Sequence, residues 1–405
     1  MSDINIVRDG NVTSPIGFSA GGIYAGIKTK GEGKLDIGLL YSDRPCDVAG
    51  TFTRNAVVSP SVTVTKGLVE RGGTIRGVIA NSGCANCAVG EYGLKDAQEM
   101  ADIAARKLGV QPGTIAVAST GVIGVELPMA LIRDHVPQIT LKEDGGEEFA
   151  RAILTTDTHI KHIAASFKVG GATVTIGGVS KGAGMIHPNM ATMLAFLTTD
   201  AEIETMFMRQ ALRDAVNLTF NQIDIDGDQS TNDTVLLMAN GAAGNAVISG
   251  GDEASETFRE ALLIVTQHLA KEIARDGEGA RTLIEATVEG AESDAEARKA
   301  ARSIASSLLV KTAVYGRDPN WGRILMALGK SEIALEESKI RVFINDIQIV
   351  AEGKAIAYNV QSVVTALSQK DVRLRVSLDM GEGRGTAWGC DLTEEYVVFN
   401  SAYTT

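Results

Sequence analysis

Two apolar stretches of the sequence are joined by a segment rich in turn-forming residues, Lys181-Gly182-Ala183-Gly184-Met185-Ile186-His187-Pro188-Asn189-Met190-Ala191-Thr192-Met193-Leu194. Residues 172–179, before it, alternate between apolar and polar as a half-buried strand does, and residues 193–197 form an apolar run of strand length. The segment is therefore predicted to place Thr192 at the start of a buried strand.

Thr192 has two interpretations that the residues leave open. In the first, it is an ordinary β-branched strand residue in a strand–loop–strand connection. In the second, the chain is cut between Ala191 and Thr192, and the new α-amine removes the proton from the Thr192 hydroxyl, which is a poor nucleophile without a base. An α-amine has a pKa of about 7.7–8.0, which suits a base that works near neutral pH.

The composition argues against several functional classes. The chain has 405 residues, 44% of them apolar and 5% aromatic, and 38 basic against 50 acidic residues give a net charge of −12. Binding of nucleic acid or of an anionic membrane surface needs clustered Lys and Arg, so we expect neither partner. No apolar run reaches the ~18 residues that a bilayer-spanning helix needs. Residues 1–5 lack the pattern of a signal peptide, and four cysteines are too few for a disulfide scaffold, so we expect a cytoplasmic protein.

Strand patterns alternate with helical ones, which indicates a mixed α/β protein. Apolar stripes predict helices over residues 94–108 and 256–274. Strands are predicted over residues 234–238, 340–344 and 372–378, and shorter ones over 22–26, 62–65 and 395–399. A change of pattern near residues 279–283 predicts two domains, residues 1–282 and a smaller α/β domain of residues 283–405.

Three local motifs suggest other chemistry but lack its context. Residues 17–21 match the nucleophile elbow of α/β-hydrolases, but that elbow needs several strands before it, so we interpret them as a glycine-rich turn. Residues 224–228 begin like a calcium loop, yet Gln229 stands where that loop needs Gly and Val235 where it needs Glu. Cys84 and Cys87 have zinc spacing without a second Cys or His pair nearby. We therefore predict no metal site and no cofactor.

Nine motifs are spread along almost the whole chain. Besides the segment 181–194, they lie at residues 17–23, 81–86, 119–124, 155–158, 226–233, 276–280, 318–323 and 400–405. They resemble, in the same order, the motifs of the ornithine acetyltransferase family, the bifunctional glutamate and ornithine N-acetyltransferases of arginine biosynthesis. So many matches in one order make chance improbable.

The resemblance implies a fold and a set of site residues. The fold is a layered αββα sandwich of the N-terminal-nucleophile type, cut internally between Ala191 and Thr192, with a smaller C-terminal domain whose tail returns to the active site. Thr192 is the expected nucleophile. Thr120 and Gly121 are the expected oxyanion hole, whose donors stabilise the developing negative charge. The expected substrate-binding residues are Thr158, Lys181, Thr192, Glu278, Asn400 and Thr405.

The reaction that the resemblance implies is transfer of acetyl from N2-acetylornithine to glutamate through an acetyl-Thr192 ester, in ping-pong fashion. Lys181 suits the α-carboxylate that both substrates carry, and Glu278 suits the side-chain ammonium of ornithine. Bifunctional members of the family also use acetyl-CoA as a donor, and no single residue decides this for the chain. The α and β chains formed from one precursor are expected to assemble as α2β2.

Two alternatives belong to other functional classes. An aminopeptidase or amidase-type hydrolase would use the same N-terminal Thr nucleophile and pass its acyl group to water. A non-catalytic acidic binding protein would retain amino acids without turnover and would keep an uncut chain.

Overall fold

A computed structural model describes residues 3–28, 33–187 and 193–402 of the chain. Ala191, Thr192 and Thr405, to which the sequence assigns roles, lie outside the described residues. No helix in the described ranges is both long and apolar enough to cross a bilayer.

The described residues contain sixteen strands and eleven α-helices. The strands are β1 (Asn5–Val7), β2 (Phe18–Ile23), β3 (Ile37–Phe52), β4 (Ile75–Cys84), β5 (Ile115–Val122), β6 (Lys161–Val169), β7 (Ala172–Lys181), β8 (Leu194–Thr199), β9 (Ile223–Asp224), β10 (Thr234–Ala239), β11 (Leu283–Ala291), β12 (Arg341–Ile344), β13 (Ile347–Ala351), β14 (Lys354–Ala355), β15 (Asp371–Ser377) and β16 (Gly383–Cys390). The helices are α1 (Pro60–Glu70), α2 (Tyr92–Leu108), α3 (Met129–His135), α4 (Gly146–Ala152), α5 (Thr205–Leu218), α6 (Glu253–Arg275), α7 (Asp294–Ala305), α8 (Leu308–Tyr315), α9 (Trp321–Gly329), α10 (Val360–Leu367) and α11 (Glu394–Ala402).

The first sheet runs in the order β1-β6-β7-β8-β10-β3-β4-β5, with β2 also paired to β3. β3 is shared by two groups of strands, because its first part pairs with β2 and β4 and its second part pairs with β10. β7 and β8 are antiparallel neighbours, and β8 runs parallel to β10. The segment 182–193 thus connects two adjacent strands in the middle of the sheet.

Successive side chains along the central strands enter different apolar cores, which shows how the layers of the fold are arranged. Leu194 and Phe196 of β8 pack in one core together with Val78 and Ala116 of the β4–β5 group. Ala195 and Leu197, on the opposite face of β8, join a second core formed with helices α5 and α6. The far side of β4 and β5 packs against α2 in a third core. The order helices, strands, strands, helices is the predicted αββα sandwich, and this prediction is confirmed.

The second sheet has the order β14-β13-β12-β15-β11-β16-β9. Its strands come from residues 283–390 except for β9 (Ile223–Asp224), which pairs with β16. The residues that pack α7, α9 and α10 against it form a core of their own. A boundary after residue 282 stays a prediction, since β9 ties the two parts together.

Most of the longer predicted elements are confirmed: helices at 94–108 and 256–274, and strands at 172–179, 193–197, 234–238, 340–344 and 372–378, all to within a few residues. Four shorter predictions are wrong. Residues 62–65 lie in α1, and residues 395–399 lie in α11. Residues 18–21 of the expected turn begin strand β2, which ends at Ile23 and so leaves residues 24–26 of the predicted strand outside it.

Candidate active site

A cavity of about 110 Å³ lies where the loops after β4, β5 and β7 meet the start of β8. It brings together five of the predicted site residues, which are far apart in sequence: Thr120, Gly121, Lys181, Glu278 and Asn400. Met193 and Leu194, the two residues that follow Thr192 in the sequence, also line it. Thr192 and Thr405 lie outside the described residues, so their predicted roles stay predictions.

Gly121 lies at the end of β5, where the strand runs against β4. Its φ is +129°, and a Cβ atom there would lie 2.3 Å from the carbonyl carbon of Gly83. Only glycine fits this conformation and this close backbone approach. Asn232 fixes the same region, because its Nδ2 donates to the carbonyls of Ala85 (2.6 Å) and Ser119 (2.8 Å).

Lys181 is the last residue of β7, and its side chain is buried in the cavity wall. Its Nζ donates to Thr155 Oγ1 at 2.9 Å and to Thr120 Oγ1 at 3.3 Å. Burial lowers the pKa of Lys181 below its ordinary value, although the charge of Asp157 opposes this shift. Among the described residues, the hydrogen-bond partners of the Lys181 ammonium are hydroxyl groups, which suits it to receive an anionic group of a ligand.

A buried charge network lies behind Lys181. Lys161 Nζ donates to Asp157 Oδ1 at 2.7 Å and to Asp276 Oδ2 at 2.5 Å, and all three side chains are almost completely shielded from solvent. Asp157 also accepts from the Gly182 amide at 2.6 Å. Burial by itself would raise the pKa of Asp157, but the charges of Lys161 and Lys181 outweigh it and hold that pKa below its ordinary value.

Thr158 belongs to this network rather than to the cavity lining. Its backbone amide donates to Asp276 Oδ2 at 3.0 Å, and its hydroxyl donates to the other carboxylate oxygen of Asp276. Asp276 caps the C-terminus of α6 and precedes Glu278 by two residues. The structure therefore places Thr158 beside the loop that carries Glu278, at the edge of the site.

Glu278 enters the cavity next to Gly184, where a Cβ atom would lie 2.4 Å from its Oε1. Its backbone amide donates to the Ala183 carbonyl at 2.8 Å, which fixes the loop against the segment that follows β7. Asn400, on α11, donates from Nδ2 to Glu278 Oε2 at 2.8 Å. Lys181 and Glu278 thus line the same small cavity.

Asp233 is a cavity residue to which the sequence analysis gave no role, although it ends the motif at 226–233. Its side chain is completely buried, and burial raises its pKa well above the ordinary value. A buried carboxyl with such a pKa, in a cleft beside Lys181, is typical of functional sites.

The residues of the rejected motifs have other partners. Asp226 accepts from the Met185 and Ile186 amides, and Asp224 forms an ion pair with Lys311 and a hydrogen bond with His187 Nδ1 at 2.7 Å. Cys84 and Cys87 are buried free thiols. In the three described ranges, no group of three or more His, Cys, Asp or Glu side chains is placed to hold a metal ion. The absence of a cofactor stays a prediction.

The fold and the cavity together define a class, a layered αββα enzyme whose candidate site opens at the ends of central strands. Comparison with known proteins identifies the family. The sequence profile of the ArgJ family matches residues 19–405. A Symbiobacterium thermophilum protein named arginine biosynthesis bifunctional protein ArgJ is 49% identical over 98% of this chain and 99% of its own length. A Dehalococcoides mccartyi protein of the same name is 46% identical over the full length of both chains.

A crystal structure described as arginine biosynthesis bifunctional protein ArgJ from Bacillus halodurans is also similar, with 43% identity and a TM-score of 0.51. The match covers 52% of this chain and 100% of the crystal chain. The chain described here belongs to the ArgJ family and is an enzyme of arginine biosynthesis. The family expected from the motifs is confirmed.

Proposed function

We propose that this enzyme transfers acetyl from N2-acetylornithine to glutamate through an acetyl ester on Thr192. One observation carries the proposal. Thr120, Gly121, Lys181, Glu278 and Asn400 line a single cavity together with Met193, the residue that follows Thr192. In the sequence, the proposed nucleophile therefore directly precedes a residue of the cavity that contains five of the residues expected to act in the reaction.

The charges in the cavity support these substrates. Both N-acetylornithine and glutamate carry an α-carboxylate, which can pair with the buried Lys181 ammonium. Ornithine also carries a side-chain ammonium, for which Glu278 offers a carboxylate that Asn400 orients. The cavity, of about 110 Å³, is on the scale of small amino-acid groups. Exclusion of water protects the ester from hydrolysis.

The proposed reaction has two half-reactions. The α-amine of Thr192 takes the hydroxyl proton while Oγ attacks the acetyl carbonyl, and the C–N bond of N-acetylornithine breaks as ornithine leaves with the proton on its nitrogen. The amine of glutamate then attacks the ester, its nitrogen loses a proton, and Thr192 Oγ is protonated again. Thr120 and Gly121 would stabilise the oxyanion in both steps.

We further propose that the α-amine is released by cleavage between Ala191 and Thr192. The length of the Bacillus halodurans crystal chain supports this, because 52% of the present chain matches all of it. The proposed β chain, residues 192–405, is also slightly more than half of the 405 residues. Assembly as α2β2, a cytoplasmic location and use of acetyl-CoA as a second donor belong to the same proposal.

The test begins with mass spectrometry of the purified protein. We expect two chains from the wild type, one chain from Thr192→Ala, and two chains again from Thr192→Ser, which keeps a hydroxyl. The acetyl groups are then followed with glutamate as acceptor and either N-acetylornithine or acetyl-CoA as donor. An uncut protein that still transfers acetyl would refute the mechanism. Turnover with N-acetylornithine but not with acetyl-CoA would show that the enzyme only transfers acetyl from N-acetylornithine to glutamate.

Glu278→Gln tests the charge assignment, since it keeps the shape of the side chain and removes its charge. Loss of a hydrogen bond to a charged group costs about 1.5–3 kcal/mol, or roughly 10–100-fold in kcat/KM. We expect this loss for N-acetylornithine and a much smaller change in the KM of glutamate, which has no side-chain ammonium. Equal effects on both substrates would contradict the assignment.

The hydrolase alternative gives a different result in the same assay. An aminopeptidase or amidase would release free acetate at a rate that added glutamate does not change. The acidic binding protein would retain amino acids without any turnover and would remain a single chain.

A further inference from the structure

The candidate cavity is built from two layers of the sandwich. β7, β8 and β10 belong to one layer, which supplies Lys181 and Met193, the residue that follows Thr192 in the sequence. β4 and β5 belong to the other layer, which supplies the proposed oxyanion hole, Thr120 and Gly121. In the sheet order β3 lies between β10 and β4, so no strand pairing in the described part of the chain joins β10 to β4 or β5. The proposed reaction needs groups from both layers at one place, and the strand pairing alone does not set their separation.

Asn232 connects the two layers directly. It lies two residues before the start of β10, and its side chain is buried. Its Nδ2 donates to the Ser119 carbonyl at 2.8 Å, and Ser119 directly precedes Thr120 in β5. The same Nδ2 donates to the Ala85 carbonyl at 2.6 Å, immediately after the end of β4. One side-chain amide therefore holds both strands of the proposed hole.

The two bonds of Asn232 lie on both sides of the proposed hole. On one side is the bond to Ser119, which comes before the hole in the chain. On the other side, Ala85 donates from its own amide to the Val122 carbonyl at 2.9 Å, and Val122 follows Gly121. A shift of the Asn232 amide would therefore move the backbone on both sides of the hole.

The backbone next to Asn232 is held by the layer that contains β8. Thr234 donates from its amide to the Met193 carbonyl at 3.0 Å, and β8 and β10 pair in parallel from Leu194↔Thr234 onward. Thr234 Oγ1 donates in turn to the Asn232 carbonyl at 3.1 Å. A short path of contacts, from Met193 through Thr234 to Asn232, thus links the residue after the proposed nucleophile to the strands of the proposed hole.

A second contact between the layers is longer and involves a group with another proposed role. Lys181 Nζ donates to Thr120 Oγ1 at 3.3 Å, and this ammonium is the group proposed to bind the α-carboxylate of the substrates. Asn232 Nδ2 instead bonds two backbone carbonyls. Its Oδ1 accepts from Thr231 Oγ1 at 2.6 Å, which fixes the orientation of the amide. Asn232 therefore suits a role in which its side chain keeps one geometry throughout the reaction.

We propose that Asn232 is a positioning residue that sets the separation between the oxyanion hole and strand β8. It acts through the backbone of Ser119 and Ala85 and does not touch the acetyl group. Misplacement of a reacting group by about 1 Å costs about 100-fold in rate. Removal of one oxyanion-hole donor costs about 100–1,000-fold in kcat. This proposal deepens the proposed function and rests on it.

The test compares Asn232→Ala with Asn245→Ala in acetyl transfer from N-acetylornithine to glutamate. Asn245 is a matched control, because it is also buried and lies beyond the far end of β10. Its Nδ2 likewise donates to two carbonyls, those of Glu202 at 3.1 Å and Ala246 at 2.7 Å. We expect kcat to fall about 100-fold in Asn232→Ala while the KM of each substrate changes little. Asn245→Ala should lower the melting temperature by a similar amount and leave kcat nearly unchanged.

Two further measurements separate positioning from a general loss of structure. Mass spectrometry gives the fraction of each variant that is cut, so that kcat is expressed per cut molecule. Rapid mixing follows the release of ornithine and the formation of N-acetylglutamate separately. Both steps should slow by the same factor in Asn232→Ala, because an oxyanion forms in each. Asn232→Ser, with the same pattern and a smaller loss, serves if the alanine variant is unfolded or uncut.

The remaining outcomes contradict the proposal. Equal losses of kcat in the Asn232 and Asn245 variants, or a raised KM at unchanged kcat, would overturn the positioning role. If neither Asn232 variant folds and is cut, Asn232 is required for the structure itself and the proposal fails. A wild type that transfers acetyl together with an equally fast Asn232→Ala refutes the positioning role alone. A wild type without acetyl transfer refutes the proposed function, and the positioning role with it.

Discussion

Gly121→Ala is the substitution whose cost follows most directly from the geometry of the site. The added Cβ atom would lie 2.3 Å from Gly83 C, 2.6 Å from Cys84 N and 2.7 Å from Gly83 Cα, all of them backbone atoms. Ordinary contact begins at 3.4 Å, and a backbone held in the β4–β5 pairing cannot rotate away as a side chain can. The two strands must therefore separate where they form the cavity wall.

Two costs add up at this position. A non-glycine residue at a φ of +129° costs about 1–3 kcal/mol, and overpacking against fixed neighbours costs a further 1–3 kcal/mol. The gain from a less flexible unfolded chain is only about 0.4–1 kcal/mol. The net destabilisation is about 1–5.5 kcal/mol, which at its upper end is a large part of the roughly 5–15 kcal/mol that typically stabilises a folded protein.

Gly124→Ala is the matched control, because Gly124 has a φ of +82° but no atom within 4 Å of its added Cβ. It should lose about 1–2 kcal/mol from backbone strain alone. Melting temperatures of the two variants, measured in parallel, should differ, with Gly121→Ala lower by roughly 2–4 °C for each kcal/mol of additional cost. Gly121→Ala should also lose acetyl transfer, whereas Gly124→Ala keeps it. Equal melting temperatures would refute the reasoning.

Three further predictions concern buried charges. Lys161→Met leaves Asp157 and Asp276 without their shared cation and should cost about 3–5 kcal/mol in denaturant unfolding, whereas the exposed Lys168→Met should cost little. Because the folded pKa of Asp157 is lowered, its stabilising contribution is complete above the ordinary aspartate value of about 3.9 and is lost as the pH falls toward the folded value; melting curves between about pH 2 and 5 should show the onset of this loss, and Lys161→Met should reduce it. The folded pKa of Asp233 is raised, so its carboxyl disfavours the fold increasingly as the pH rises above the ordinary value; Asp233→Asn should melt no lower than the wild type at pH 7, and a large drop would contradict the raised pKa.

The sequence correctly predicts the elements whose apolar residues recur at a regular spacing and are also the residues that the structure buries. Helix α2 has an apolar stripe that includes Ala97, Ala101 and Ala104, and the same residues are buried in the structure. The strand prediction at 62–65 is wrong because it considered the four β-branched residues there without the residues that precede them. Ser59 caps a helix there and Pro60 occupies its first turn, which is a start signal that the sequence does contain.

Residues 395–399 show a different kind of failure. Val397 and Val398 favour a strand by local propensity, yet both are more than 60% exposed, so no sheet buries them. Thr393 accepts from the Glu395 amide through Oγ1 and satisfies a donor at the start of α11. The helix then brings Asn400 to Glu278, a tertiary contact that outweighs the local preference.

The sequence motifs that supply the candidate-site residues could be predicted. The contacts that join these residues in the folded chain could not. Thr120, Lys181 and Glu278 come from three different motifs, and their convergence follows from the resemblance rather than from any spacing. The pairing of Lys161 with Asp276 joins residues 115 positions apart, and nothing in the sequence identifies them as partners. Asp233 was missed for the same reason, since a buried acid cannot be distinguished from a turn residue before the fold is known.

The sheet order explains how the proposed cut can change the chemistry of Thr192 without dividing the enzyme. β8 and β10 come after the cut, yet they lie between β7 and β3, which come before it, and β7 pairs with β8 from Ile176↔Thr199 to Lys181↔Leu194. The charge network crosses the same division, because Asp276 holds Lys161 and Thr158. Each fragment alone would lack neighbours on both sides of the central strands and half of the cavity wall. The proposed cleavage would therefore release one α-amine shortly before β8 in the sequence, while the sheet that both fragments share would hold the enzyme together, as a base of this kind requires.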